Sequence, residues 1–316
     1  LHNDLSFITE GLSFDMSISF NNNFGSTKVY TDGIDTYYYE PNSGRYDQLG
    51  EDSPFRFKED KKTNPMRRTN LQLKVGYARR FGKHNINSIL VYNQQKTTSG
   101  NSIPSALMGY AARVEYGFAE KYLGEVSLGY NGSENFAKGH RFGLFPSIAA
   151  GYNISEESFF KPLKNVVSKL KLRGSWGLVG NDQINGSRFI YMSQIDLGGK
   201  GFTTGVNQNV TYNGPVYQRY ANEDITWEVG EKINFGVDLQ LFHSLDLTFD
   251  IFRENRRDIF QEKGTTPTYM GTATTKVYGN LAAMRNQGFE LAASYNKQFN
   301  KNWFVSFKGT FTYAHN

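Results

Sequence analysis

The chain has 316 residues, with Lys and Arg at 35 against Asp and Glu at 30; the resulting formal charge of +5 is too small and too dispersed to argue for nucleic acid. It has no cysteine, which excludes a disulfide framework, a thiolate zinc site and a cysteine nucleophile. Mean hydropathy is −0.55 and no apolar run approaches the ~20 residues of a membrane helix, yet aromatic residues make up 15%. An all-β protein, soluble or of the barrel type, remains.

Strict alternation runs along the chain. Leu12, Phe14, Met16, Ile18 and Phe20 alternate with Ser13, Asp15, Ser17 and Ser19. Leu71, Leu73, Val75 and Tyr77 do the same. So do Ile233, Phe235, Val237, Leu239 and Leu241, then Leu245, Leu247, Phe249 and Ile251. Phe289, Leu291, Ala293 and Tyr295 are followed by Trp303, Val305, Phe307 and Phe311. Period two means strands with one apolar and one polar face. The pattern predicts about twelve strands, near 1–7, 11–24, 69–81, 84–96, 108–118, 121–132, 140–153, 167–179, 228–242, 245–258, 284–297 and 302–315. Many are long enough to cross a membrane, which takes ~9–11 residues, where soluble strands run to ~5–6.

The connections alternate between short and long. Short ones fall at 8–10, Gly82-Lys83, Ala119-Glu120, His243-Ser244 and 298–301, and the longer 154–166 is expected to carry a short helix. Long polar ones fall at 25–68, 97–107, 133–139, 180–227 and 259–283. That parity is expected of an up-and-down barrel with tight turns on one side of a membrane and large loops on the other. The large loops are rich in Tyr, Asn, Gly and Asp, as in Tyr37-Tyr38-Tyr39 and 212–220, a composition that suits sugar or peptide ligands. Trp176, Trp227, Tyr295 and Trp303 are expected as interfacial anchors. Asp15, Lys74, Arg113, Glu115, Arg141, Lys171, Arg173, Asp238, Asp250 and Glu290 are expected to line the polar side.

No catalytic, metal or cofactor constellation stands out. The five histidines are scattered, with no i, i+4 pair. Gly198-Gly199-Lys200-Gly201 lacks the spacing of a phosphate loop. Asp238, Asp246 and Asp250 fall on the polar faces of neighbouring strands, and a wet wall paired with Lys or Arg is the stronger expectation than a glycosidase pair. The chain reads as no enzyme, with no cofactor. Four Asn-x-Ser/Thr sequons, at Asn131, Asn153, Asn185 and Asn209, are short enough to arise by chance.

The stretch Gly139 to Tyr152, and its continuation Leu170 to Ile184, resemble signature strands of the SusC/RagA-like TonB-dependent outer-membrane transporters. Further matches are Ile225-Thr226-Trp227-Glu228 running into Glu231 to Asp238, Asn286 to Leu291, and Leu5 to Leu12 as a mid-barrel hairpin. The resemblance implies an antiparallel transmembrane β-barrel of 22 strands in the outer membrane of Bacteroidetes. This chain, residues 1–316, would be a partial, middle-to-late section of that barrel domain. The plug domain and TonB box lie outside it. The start at Leu1 has no signal-peptide pattern, as expected of an excerpt or a processed chain. The resemblance further implies import of oligosaccharides or peptides, a SusD/RagB-like surface lipoprotein as partner, TonB-ExbB-ExbD coupling through the N-terminal part, and contact with outer-membrane lipid. The rival architecture is a soluble or surface β-sandwich that binds carbohydrate, since a sandwich also has one apolar face.

Overall fold

A computed structural model describes residues 1–25, 27–31, 33–50, 55–60, 65–100, 102–183, 188–264 and 277–316. Ile184 and the Asn185 sequon lie outside the described residues. The main sheet is built from β1 (His2–Asp4), β2 (Leu12–Asn23), β7 (Met66–Phe81), β8 (His84–Ser99), β9 (Ser105–Phe118) and β10 (Tyr122–Ser133). It continues through β11 (Phe142–Asn153), β12 (Val167–Asn181), β15 (Glu228–Leu241), β16 (Leu245–Glu262), β17 (Tyr278–Asn300) and β18 (Trp303–His315). These twelve strands form one sheet in the order just given, with β1 and β18 at its ends. All twelve expected strands are present. The first is shorter than expected because the Asp4 carboxylate accepts the Ser6 N–H at 2.9 Å, which turns the chain back toward β2.

The contacts divide the chain into two units. The larger holds Leu1–Ser17, Leu71–Gln94 and Leu107–Asn316. Its short connections are tight. Ala119 and Glu120 both take positive φ, 53° and 62°, as do Phe242 and His243 at 54° each. Left-handed geometry at two successive residues gives a tight turn whose twist matches that of the flanking strands. Each short turn is also tied to the next strand pair. Ala119 N–H donates to Lys83 O at 2.7 Å, and Asn153, Phe242 and Asn296 N–H donate to Lys121, Val166 and Ser244 O at 2.8 Å. The connection 154–166 carries two short 3-10 turns, Ile154–Glu156 and Ser158–Leu163.

The long connections hold structure that alternation does not reveal. Connection 180–227 contains the hairpin β13 (Gln194–Thr204) and β14 (Val210–Arg219), where Phe202 stacks on Tyr212 with centroids 5.2 Å apart. The smaller unit, Ile18–Asn70 with Gln95–Ala106, holds two further pairs. One is β3 (Thr27–Thr31) with β6 (Arg56–Asp60), the other β4 (Thr36–Glu40) with β5 (Arg45–Leu49). Tyr39 meets Tyr46 with ring centroids 5.0 Å apart. Strands β3, β4 and β5 are exposed on both sides, so no apolar stripe marks them.

Register fixes the faces of the main sheet. Phe235 stands opposite Ile251, which stands opposite Phe289, and Gly236 stands opposite Asp250 on the other face. Phe235 is 52% exposed and Ile251 51%, while Asp250 is 8% exposed. A water-soluble sheet buries its apolar face; this one leaves it exposed, while Asp250, the buried charge among the described residues, lies on the other face. The sandwich architecture, which would bury Phe235 under a second sheet, is therefore not the one formed.

Candidate functional site

The polar face of the main sheet is a wall of charges paired across strands. Asp15 of β2 accepts from Lys74 of β7 at 3.4 Å and also contacts His2. Glu115 of β9 takes Arg113 at 3.2 Å and the Asn87 amide at 2.9 Å. Glu125 of β10 accepts the Ser127 hydroxyl at 2.9 Å. At the centre, Arg173 of β12 reaches over two neighbouring strands: its Nε lies 3.3 Å from Asp238 Oδ1 on β15, and a terminal nitrogen lies 2.6 Å from Asp250 Oδ2 on β16. Gly236 sits beneath this guanidinium. A Cβ there would come within 2.5 Å of Arg173 Cζ and 2.7 Å of Asp250 Oδ1. Nearer the long connections, Arg256 bridges Glu254 at 2.7 Å and Glu228 at 3.2 Å, and Lys232 lies 3.9 Å from Glu254.

Between these pairs the wall is thin. Gly117, Ala149, Gly151 and Ser175 leave a concavity of about 440 Å³, edged by Glu115, Glu125, Lys171 and Arg173. Small side chains in adjacent strands let another surface approach the backbone closely, and charges of both signs around them give that surface polar partners. Of the residues expected on this side, Glu115, Lys171 and Arg173 edge this concavity, and Asp15, Lys74, Arg113, Asp238 and Asp250 stand in ion pairs along the wall. Glu290 faces the same way, opposite Asp250 in register. Arg141 does not join the wall: it precedes β11, and its Nε donates to Phe136 O at 3.2 Å. Asp246 accepts from Gln240 at 2.8 Å. The three aspartates are thus held by wall partners, Asp238 and Asp250 by one guanidinium and Asp246 by Gln240. Among the described residues no group of His, Asp and Glu is arranged to hold a metal ion. Gly198 to Gly201 lies within β13, without a following helix.

A buried cluster forms where the long connections leave the sheet. Phe136, Phe145, Ile190, Ile225 and Trp227 pack together, flanked by Leu178, Val229, Phe260 and Tyr278. Trp227 is 7% exposed and its indole N–H donates to Arg141 O at 3.1 Å. It therefore anchors loops, not lipid, which corrects the expectation placed on it; a long loop folds over it and removes it from the surface. Trp303, at 69% exposed, remains accessible, and the Trp176 indole donates to Glu231 at 2.9 Å on the apolar side. Asn280 clamps the cluster through bonds to Thr226 N and O, both 2.9 Å, and to Asp258 O at 2.6 Å. Sequence reasoning missed Asn280, because an asparagine in a long strand carries no local signal of distant carbonyls.

At the opposite end, Glu157 lies between the two 3-10 turns. It accepts from Lys121 at 2.7 Å, Tyr122 at 3.1 Å and Tyr152 at 3.2 Å. The Lys121 hydrogen bond is the largest influence on its carboxyl; with the weaker hydrogen bonds of the two tyrosines and the Lys121 charge it outweighs desolvation, second in size, and holds the group below the usual carboxylate range.

Comparison with known proteins adds an independent line. Residues 2–316 match the family model described as TonB dependent receptor-like, beta-barrel. TonB-dependent receptor P39 of Formosa agariphila is 30% identical over 235 residues, 73% of this chain and 21% of its own length. TonB-dependent receptor SusC of Bacteroides thetaiotaomicron is 28% identical over 215 residues, 67% of this chain and 21% of its own. The chain thus spans about a fifth of the length of these relatives. A solved structure of the RagAB peptide transporter superposes with a TM-score of 0.71 at 18% identity, over 96% of this chain and 34% of that one, a likeness of fold. An exposed apolar face, a charge-paired face opposite it, short and long connections in alternation and a family match across nearly every residue lead to one conclusion: the chain belongs to the TonB-dependent receptor β-barrel family of the outer membrane.

Proposed function

We propose that this chain is barrel wall from an energised importer of oligosaccharides or peptides. The carrying observation is the inverted sheet, with a charge-paired polar face around a shallow concavity and an exposed apolar face behind it. In this reading the apolar face meets lipid and the polar face lines the lumen. A plug domain, supplied by the remainder of a longer protein, packs against the concavity edged by Glu115, Glu125, Lys171 and Arg173. Paired charges suit that role. They offer a hydrated surface that a plug slides on, since each pair can exchange a partner without leaving a bare charge. A TonB box in the same remainder would couple the plug to TonB-ExbB-ExbD, and a SusD/RagB-like surface lipoprotein would cap the mouth. The RagAB structure, a peptide transporter by its description, supports the peptide half of that substrate class. The long connections, clamped around Trp227 and carrying stacked aromatics such as Phe202 on Tyr212, would present the surface to that partner and to substrate.

The test is genetic and biochemical. Deleting the full-length gene is expected to abolish growth on one class of oligosaccharide or peptide, with growth restored by the intact gene. The full-length receptor should co-purify with a surface lipoprotein. Unchanged growth across both substrate classes, with no lipoprotein partner, would overturn the reading.

A further inference from the structure

The smaller unit, Ile18–Asn70 with Gln95–Ala106, is rich in rings and has no core. None of its described residues is buried. Tyr30, Tyr37, Tyr39, Tyr46, Phe55 and Phe57 are all exposed, from 48% at Tyr39 to 71% at Tyr46. The rings touch one another, as Tyr30 touches Phe57 with centroids 5.0 Å apart, but they cover no interior. Folding of the unit therefore does not account for them. Aromatic surface kept in water on paired strands marks a contact surface.

Register sorts the β4–β5 hairpin into two unlike faces. Tyr37 stands opposite Gln48 and Tyr39 opposite Tyr46, so these four share one face. Tyr38 opposite Asp47 and Glu40 opposite Arg45 share the other. One face thus carries three phenols and an amide without a formal charge, and the other carries every charge of the two strands. The rings of Tyr39 and Tyr46 are tilted by 44° with centroids 5.0 Å apart, not stacked, which leaves ring faces open. Tyr37 and Tyr39 lie about 7 Å apart along the strand, so the phenols form a strip rather than a point contact. A sugar ring has an apolar face of C–H groups and a rim of hydroxyls. A phenol meets both, with its ring on the C–H face and its oxygen on the rim. Tyrosine supplies that area at low conformational cost, because it has only two side-chain torsions to fix. Charge then separates the substrate classes. A peptide brings charged termini and side chains, and an acidic sugar brings carboxylates; this face has no ion of either sign to meet them. A neutral oligosaccharide leaves no charge stranded when water is excluded.

We propose that the Tyr37, Tyr39 and Tyr46 face of the β4–β5 hairpin binds a neutral oligosaccharide, with sugar rings laid on the phenols and sugar hydroxyls bonded to the tyrosine oxygens. The proposal rests on the import reading and narrows its substrate class, from oligosaccharide or peptide to neutral oligosaccharide.

The test is calorimetric titration of the full-length receptor in detergent. The probes are neutral gluco-, manno- and xylo-oligosaccharides, oligogalacturonate as the charged sugar, and a tryptic peptide mixture. A neutral sugar is expected to bind, and the Tyr37→Ala/Tyr39→Ala/Tyr46→Ala variant to bind it at least roughly tenfold more weakly. Tyr38→Ala, on the charged face, should bind as the wild type does. Equal affinity in wild type and the triple variant overturns the site, and so do equal losses in the triple variant and Tyr38→Ala. Binding of oligogalacturonate or peptide alone, or of no probe, overturns it too. Loss of a co-purified lipoprotein from the triple variant with sugar affinity intact would make the face a protein interface instead. Should the triple variant fail to assemble, the corresponding Phe triple, which keeps the rings, is compared with Tyr39→Ala. A larger loss in Tyr39→Ala supports the proposal, and unchanged affinity in both overturns it. Growth of the gene-deleted strain reads import separately. A growth defect with tyrosine-independent binding removes this site and leaves import standing; tyrosine-dependent binding without a growth defect does the converse.

Discussion

Gly236 and Glu157 show how single residues hold the centre and one end of this architecture. Gly236 gives the Arg173 guanidinium room to lie flat across β15 and reach Asp250. Gly236→Ala is expected to push that group off and to cost on the order of 1–3 kcal/mol, as overpacking of a close site does. Gly124→Ala, where a Cβ meets nothing within 4 Å, is the matched control. Thermal unfolding of the full-length receptor, followed by the mobility shift of heated barrel on gels, separates the two. Glu157 makes a pH prediction. Its folded-state pKa is depressed, so its contribution is fully present above the unfolded carboxylate range and is lost as pH falls through the folded value. The melting-temperature gap between wild type and Glu157→Gln should therefore be widest near neutral pH and close in acid. A gap independent of pH would contradict the assignment. At this scale the sequence was informative about sidedness: Asp238, Asp250 and Arg173 were legible as one polar face. Their partnership was not, because Arg173 lies 65 and 77 positions from the two carboxylates it holds.

The strands themselves follow from alternation, and alternation carries a further expectation about each face. Phe235→Lys places a charge where lipid should be, and for a basic residue near the midplane the cost is about 2–4 kcal/mol. Gln240→Lys, one strand face away and beside Asp246, should be mild. Folded receptor recovered from outer membranes measures both, and equal losses would refute the facing. Element boundaries were less legible. Strand β17 runs 23 residues, well past the expected stretch, because its upper part pairs with β16 beyond a bulge at Asp258, whose φ is 57°. The hairpins in the long connections were not legible either. Strands β3, β4 and β5 are exposed on both faces, so nothing there selects an apolar period. Trp227 was misassigned for a related reason: an aromatic at a strand end reads as a girdle residue until a loop is seen to cover it.

For the whole molecule, the order of the sheet has physical consequences. It runs from β1 to β18 with both at the ends, and their outer N–H and C=O groups form edges. Hydrocarbon offers such groups no partner, so a membrane sheet must close on itself. The 316-residue chain expressed alone is therefore expected to give no defined single-channel conductance after refolding into bilayers, whereas a full-length receptor should assemble into membranes in folded form. Steady unitary conductance from the isolated chain would refute this.

What the sequence by itself determined here is whatever depends on near neighbours. Period-two patterning sets the strands and their faces, and the length of each connection sets which end is which, because both act over a few residues. The tertiary structure alone decided the pairings made across register. Arg173 with its two aspartates, Trp227 under its loops and Asn280 on Thr226 each join residues far apart in the chain. Their geometry exists only once neighbouring strands have settled against one another, and no local pattern encodes that alignment.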